Sequence, residues 1–372
     1  MSFIGSQLRL ARIFNELSLE DLAGKVGKTR QYIHKLETGQ SEPTDELLVN
    51  LAINLSVLPN FFSVPPKAII SEQDFHFRKL LTTRTLVKHT AMAKAEIFGR
   101  LVAVLEAELK FPSVNIPTLN DINSVDDIER AAEHCRSVWG LGLGPISNMT
   151  RLAENVGAIV TSFQSVSSEV DALSIELHRP VIVRNVAKKS VCRQRFDIAH
   201  EIGHFVLHEG QVTGDRITES QANRFAGALL IPKEMMLKLF PKLRNNRLDW
   251  RSISDFKLQW KVSKAALLYR AHQLNIINDQ QYKSGVITLK RTGEALQEKE
   301  DYLIASEEPE LLINSIRLLH KNYVITAQKL AAMIDVDKQF ISEFLPEIMT
   351  GEFDIPTNLI VMSDFVKENK LA

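Results

Sequence analysis

Over the first 62 residues, apolar side chains recur every three or four positions in GSQLRLARIF, SLEDLAGKVG, TRQYIHKLETG and TDELLVNLAINL. That spacing lines one face of an α-helix, so the segment reads as four or five short helices. The punctuation agrees: Ser18 and Thr29 can cap helix starts by accepting a first-turn N–H, Gly27 and Gly39 sit just past helix ends, and Pro43 opens a new segment. After VPPK comes a stretch rich in helix formers, Thr85 to Lys110, with Leu86, Ile97, Leu101, Leu105 and Leu109 marking one face. It reads as a bridge between two domains. FPSVNIP ends it, and DDIERAAEHCRSVWGLG reads as a further helix stopped by glycines.

Beyond Gly157 the period changes from helical to alternating. GAIVTSF, ALSIEL and PVIVRN are short, β-branched and bounded by polar residues, as expected of a small antiparallel sheet. The sheet leads into FDIAHEIGHFVLHEG, residues 196–210, then the polar loop EGQVTGDRI and a second helix, TESQANRFAGALLIP, which Pro232 ends. SISDFKLQWKVSKAALLYRAHQLNII reads as two more helices around a short turn. GEALQEKEDYLIASEEPE is charged and weakly apolar and reads as a linker, and the tail, with TAQKLAAMIDVDKQFISEFL, as another small helical unit. No fixed-period repeat is read along the chain.

The length, 372 residues, exceeds what one compact core carries, so two or three domains are expected. The 45 basic and 45 acidic side chains cancel, so any nucleic-acid or membrane binding must come from a local face. The opening MSFIGSQLRLARIF lacks an apolar signal core, and no apolar run is long enough to span a bilayer, so a cytoplasmic protein without a membrane partner is expected. Cys135 and Cys192 form no CxxC pair and read as reduced thiols, not metal ligands.

In the N-terminal segment, two short helices joined by a glycine turn can hold the second where its first residues reach base edges in the major groove. That helix begins Thr29-Arg30-Gln31, with His34 and Lys35 one turn on. Arg30 can be bidentate to guanine and Gln31 to adenine, while Lys28 and Thr29 can contact phosphate. A helical dimerisation module is the competing reading, because residues 1–62 hold six basic side chains against seven acidic ones. LSLEDLAGKVGKTRQYIHKLETGQSEPTDELLVNLAINLSV resembles the lambda-repressor-like, Xre-type helix-turn-helix family over almost its full length. The resemblance implies double-stranded operator DNA as a partner, and paired half-sites then imply a homodimer.

His200 and His204 stand one turn apart on a single helix face. Two neutral imidazoles suit Zn2+, and a catalytic zinc takes a third protein ligand and leaves its fourth position to water. Glu201, beside the first histidine, can take a proton from that water. A core helix is the competing reading, since Ile198, Ala199, Ile202, Phe205, Val206 and Leu207 must also pack. The third ligand of a metzincin would be a histidine at position 210, where this chain has Gly210, so a carboxylate must be sought. Glu219 is favoured, because Glu219, Ala222, Asn223 and Ala226 share one face whose alanines permit close approach; Glu209 and Asp215 compete. His208 is expected in the core or behind a ligand.

RFDIAHEIGHFVLH followed by ESQANRFAGALLIP resembles the ImmA/IrrE family of zinc metallopeptidase-like regulators. The likeness extends upstream through GPISNMTRLAENVGAIV, DALS and PVIVRN, and downstream through VSKAALLYRAHQLNIINDQQY. The resemblance implies His200, His204 and Glu219 as metal ligands and Glu201 as general base. Asp197 departs from the family, which more usually has a small or β-branched residue there, and adds negative charge. By analogy, PVIVRN is the candidate edge strand for an extended substrate, with an internal strand as the alternative. Tyr269, His178 and Arg193 are candidates for an oxyanion stabiliser.

The expected fold is α+β and multidomain: an all-α helix-turn-helix unit over 1–64, a helical linker over 65–120, a zincin-like domain with a small antiparallel sheet and the HExxH helix over 121–290, and a helical region over 291–372. The expected function is a DNA-binding transcriptional regulator with a zinc-dependent endopeptidase domain that cleaves a protein partner, such as a repressor or a toxin–antitoxin component. The alternative is a non-cleaving repressor or antitoxin whose zinc domain senses a ligand or docks a partner.

Overall fold

The computed structural model describes residues 2–65, 75–77, 85–119, 122–163, 172–211 and 213–354. The sequence readings for most of 66–84 and for the end of the C-terminal region, from residue 355 on, lie outside the described residues.

Four helices open the chain: α1 (Gly5–Phe14), α2 (Leu19–Lys25), α3 (Arg30–Glu37) and α4 (Asp45–Leu55). Their ends follow from local chemistry. Ser18 accepts the Asp21 N–H while the Asp21 carboxylate accepts the Ser18 N–H, a reciprocal cap on α2. Thr29 accepts the Tyr32 N–H at the start of α3. Between them Gly27 takes φ +65°, the left-handed conformation that a side chain disfavours, and this turns α3 sharply out of α2. The Arg12 guanidinium on α1 grips the Glu37 carboxylate at 2.5 and 2.9 Å and also donates to the Leu17 carbonyl, which fixes the far end of α3.

A strand, β1 (Phe75–Phe77), precedes the long helix α5 (Thr85–Glu108). The stretch read from sequence as a purely helical linker therefore also supplies a strand. Then come α6 (Val125–Val138), α7 (Met149–Asn155), β2 (Ile159–Thr161), β3 (Ala172–Glu176) and β4 (Pro180–Arg184). The strands form one sheet in the order β1-β3-β4-β2, and it is mixed, not antiparallel as expected. β3 and β4 are an antiparallel hairpin, with Ser174 opposite Ile182, but β2 pairs with the far side of β4 in parallel. Because β4 has a neighbour on each side, PVIVRN is internal, and among the described residues the edges of the sheet are β1 and β2.

The helices α8 (Val191–Leu207), α9 (Arg216–Leu230), α10 (Lys233–Leu239), α11 (Trp250–Trp260), α12 (Lys264–Gln273) and α13 (Asp279–Arg291) follow the sheet. Alternation along the strands divides the apolar side chains between two cores. Ile182 and Val160 point into a core shared with α6 to α9, α11 and α12. Val181, Val183, Ile159 and Ile175 point into the other, which continues through α5, the N-terminal helices and the last described elements, α14 (Leu311–Tyr323), α15 (Ala327–Ala332) and α16 (Lys338–Ser342). Ser174 lies one residue before Ile175 on β3 and so faces the α8 side. No helix among the described residues is long and apolar enough to cross a membrane.

The segment read as a charged linker is instead packed. Burial would lower the ammonium pKa values of Lys257 and Lys264, but facing carboxylates outweigh it and raise both: Asp301 and Glu298 at 2.6 and 2.7 Å from Lys257, and Glu294 and Glu300 at 2.7 and 2.8 Å from Lys264. Burial likewise opposes ionisation of Glu300, but Lys264 and Ser254 hold its carboxyl down to about 2. Further on, buried Glu307 pairs with Arg195 of α8 and accepts the Met149 N–H at 2.7 Å. Charge in this run reflects partners in the interior, where each ion must be matched.

Candidate metal centre and nucleic-acid interface

α8 passes under the sheet with both faces covered, and α9 lies across it. Gly203 makes that approach possible, since a Cβ there would stand 3.0 Å from the Phe225 ring and 3.4 Å from the Ala222 backbone. Ala222 and Ala226, both fully buried, keep the α9 side equally low. The expected small-faced contact therefore forms, and it carries Glu219, in the first turn of α9, onto the histidine face of α8.

Three side chains converge there. His200 Nε2 and His204 Nε2 are 3.0 Å apart, and the Glu219 carboxylate oxygens lie 3.4 Å from the first and 3.3 Å from the second. Tetrahedral zinc with bonds of about 2.0–2.1 Å spaces its ligand atoms roughly 3.3–3.4 Å apart, so the donor set and its spacing both fit the ion. Among the described residues this is the one cluster of histidine, cysteine or acidic side chains with such spacing. The competitors lie elsewhere: Glu209 is exposed, and Asp215 caps α9 by accepting the Thr218 N–H at 2.7 Å.

The outer nitrogens of the two imidazoles are also engaged. His200 Nδ1 is 3.1 Å from Asn223 Oδ1, an acceptor only, so the proton sits on Nδ1 and the Nε2 lone pair faces Glu219. His204 Nδ1 is 3.0 Å from His208 Nδ1, and His208 Nε2 is 2.8 Å from Gln221 Oε1. If His208 donates to Gln221, its Nδ1 accepts from His204, whose Nε2 is then also bare. In that arrangement both donor atoms are presented in the tautomer a cation needs. Burial would raise the Glu219 carboxyl, and a proton on the facing Nε2 of His200 and His204, the state that competes with a cation, outweighs it and lowers the carboxyl to about 2.

Glu201 is almost fully buried and accepts a short hydrogen bond from the Ser174 hydroxyl on β3. Asp197, one turn earlier on α8, is paired with Lys188 at 2.5 Å, which balances the extra charge. Of the three candidates for an oxyanion role, His178 pairs with Glu106, Arg193 donates to the Leu296 carbonyl at 3.4 Å, and the ring of Tyr269 lies 6.2 Å from that of Tyr282. Ser174, Asn223 and Gln221 were not singled out from sequence as site residues. The α9 face that named Glu219 contained Asn223 and offered the available signal.

In the N-terminal unit, Lys28, Thr29, Arg30, Gln31, His34 and Lys35 are all exposed on one side of α3, while Ile33 and Leu36 are buried beneath them. The Thr29 hydroxyl accepts the cap hydrogen bond and keeps its proton free to donate. Arg30 has Glu20 3.4 Å away, an exposed pair that water and salt weaken. The six side chains form a continuous polar strip with three fixed cations.

Residues 8–62 match the family model of the helix-turn-helix domain, and residues 153–272 that of the IrrE N-terminal-like domain. The chain joins a helix-turn-helix domain to an IrrE N-terminal-like domain. The IrrE-like stretch holds β2 to β4, α8 and α9, and with them every side chain of the candidate centre; both matched stretches end before α13. No curated protein matches the chain. Among solved structures, Bacillus thuringiensis PlcR in complex with the peptide PapR7 and DNA aligns with 98% of this chain and 97% of its own, at 11% identity and a TM-score of 0.15. That score is too low to indicate a shared fold.

Proposed function

We propose that the chain is a DNA-binding transcriptional regulator whose IrrE-like domain is a zinc-dependent endopeptidase acting on a regulatory protein, such as a repressor or a toxin–antitoxin component. The observation that carries the enzymatic part is the convergence of His200, His204 and Glu219 on one point, with Glu201 between the histidines on the same helix. His200, His204 and Glu219 would hold zinc, which when bound supplies a Lewis acid for attack of water on a peptide carbonyl. Glu201 would accept the proton of the attacking water and return it to the leaving amine. Ser174 holds that carboxylate in place, while Asn223 and His208 hold the imidazoles. An extended substrate pairing with the sheet would use the edge of β1 or β2.

The helix-turn-helix domain supports the regulatory part. Arg30 and Gln31 would read bases, Lys28 and Thr29 would contact phosphate, and His34 and Lys35 would follow one turn on.

Burial favours a second reading, in which the zinc domain senses a ligand or docks a partner without cutting. His200, Glu201 and His204 are each at most 1% exposed, so a peptide could reach them only if the surrounding side chains part. Glu201→Gln separates the two readings. Partners co-purified with wild type and with Glu201→Gln, mapped by mass spectrometry, should show cleavage by the wild type only, with zinc content unchanged. Equal cleavage by both proteins would reject Glu201 as the base, and intact partners with both would favour the non-cleaving reading.

A further inference from the structure

The last described elements repeat the first. At one constant offset, that of Thr326 from Ser18, α14, α15 and α16 follow α1, α2 and α3. Ser18 and Thr326 cap α2 and α15 by accepting the N–H three residues on, and Thr29 and Asp337 cap α3 and α16. The left-handed residues correspond as well: Glu16 (φ 59°) and Val324 (φ 55°) before the second helix, then Gly27 (φ 65°) and Asp335 (φ 58°) before the third. Leu22, Val26, Ile33 and Leu36 are buried, and so are Leu330, Ile334, Ile341 and Phe344 at the matching positions. Even the hydrogen bond from Arg12 to the Leu17 carbonyl has its counterpart in His320 and the Ile325 carbonyl. After a short insertion, Thr38-Gly39 recurs as Thr350-Gly351, both glycines with positive φ.

The two units differ on the side that would meet DNA. Where α3 exposes Lys28, Thr29, Arg30, Gln31, His34 and Lys35, the second unit has Val336, Asp337, Lys338, Gln339, Ser342 and Glu343. Three cations become one, accompanied by two carboxylates, and Lys338 is held by Asp354 at 2.9 Å. This side is turned toward the first unit. Val336 forms a β-bridge with Val57, flanked by Leu58 N–H to the Asp335 carbonyl and Asp337 N–H to the Ser56 carbonyl, both 2.9 Å. Phe340 stacks on Phe14 at 4.0 Å, and Glu343 accepts from Lys94, which also donates to Glu16.

We propose that residues 311–354 are a second helix-turn-helix unit whose reading side has become an intramolecular docking surface for the first. Its partner is the surface formed by Phe14 and Ser56–Leu58. The chain thus carries two such units and one reading helix, α3. While the second unit is docked, that surface is closed to another copy of the chain, so a homodimer would have to use a different face.

A cross-link in the full-length protein tests this. The flanking hydrogen bonds make Val57 and Val336 a non-hydrogen-bonded antiparallel pair, with Cα atoms about 4.5 Å apart, within the span a disulfide bridges. Native Cys135 and Cys192 are buried and do not compete. Val57→Cys/Val336→Cys should oxidise nearly completely to an intramolecular disulfide. The oxidised and reduced forms should bind a mixed-sequence 30-base-pair duplex at low salt within about twofold of each other, because locking the second unit removes nothing from α3. Reduced thiols after oxidation, or a tenfold loss of duplex binding on locking, would overturn the proposal. Hydrogen exchange of the wild-type protein gives an answer that does not depend on the variant folding: the Leu58 and Asp337 amides should be protected, and exchange at loop rates would overturn the docking.

Discussion

Each imidazole has two nitrogens, and the partner of one decides what the other can do. Asn223 and His208 therefore belong to the candidate centre although neither was read as a ligand. Asn223→Ala and His208→Ala should each weaken zinc binding about 10- to 100-fold, measured by competition with a chelating indicator, with the helical circular dichroism unchanged. Unaltered affinity in both would mean that the inner nitrogens need no outer support. The histidines and Glu201 were legible in the sequence because a four-residue spacing fixes a shared helix face whatever surrounds it. Glu219 was legible through the alanines beside it. Ser174 and Gln221 were not, because their roles depend on how β3 and α9 lie against α8, and spacing within one element does not carry that information.

Among the elements, the α8–α9 contact does the positioning. Gly203→Val would place two methyl groups where Phe225 and Ala222 already stand, an overpacking that costs about 1–3 kcal/mol. The variant should unfold at a lower temperature and lose zinc together, as α9 moves away from α8. Lower stability with zinc affinity intact would show that Glu219 does not depend on this contact. Helices and their caps were readable from period and punctuation, as Ser18, Thr29, Gly27 and Pro232 show. β2, β3 and β4 were readable as strands, but β1 was not, and neither was the strand order: nothing in PVIVRN distinguishes an edge from a centre, and β2 joins β4 through pairing across the chain. The charged run through Glu294, Glu298 and Asp301 misled for a related reason, since its partners Lys257 and Lys264 lie on separate helices earlier in the chain.

Across the whole molecule, one apolar core ties the helix-turn-helix domain to α5, one sheet face and the C-terminal unit, while the other packs the IrrE-like elements beneath the opposite face. Glu307, just before α14, reaches Arg195 on α8, so the second helix-turn-helix unit is attached to the helix of the candidate centre at one end and to the N-terminal helix-turn-helix domain at the other. The repeat escaped a reading for fixed periods because it occurs once, far along the chain, and keeps chiefly buried and capping positions. Leu22, Ala23, Gln31 and Ile33 recur unchanged as Leu330, Ala331, Gln339 and Ile341, but most exposed positions between them differ.

The His-His-Glu centre is the claim on which the enzymatic reading depends, and metal content tests it most directly. Full-length protein reconstituted with zinc, dialysed and measured by elemental analysis should retain about one ion per chain. His204→Ala and Glu219→Ala should retain far less under the same dialysis. A wild-type chain that keeps no zinc, or variants that keep as much as the wild type, would contradict it.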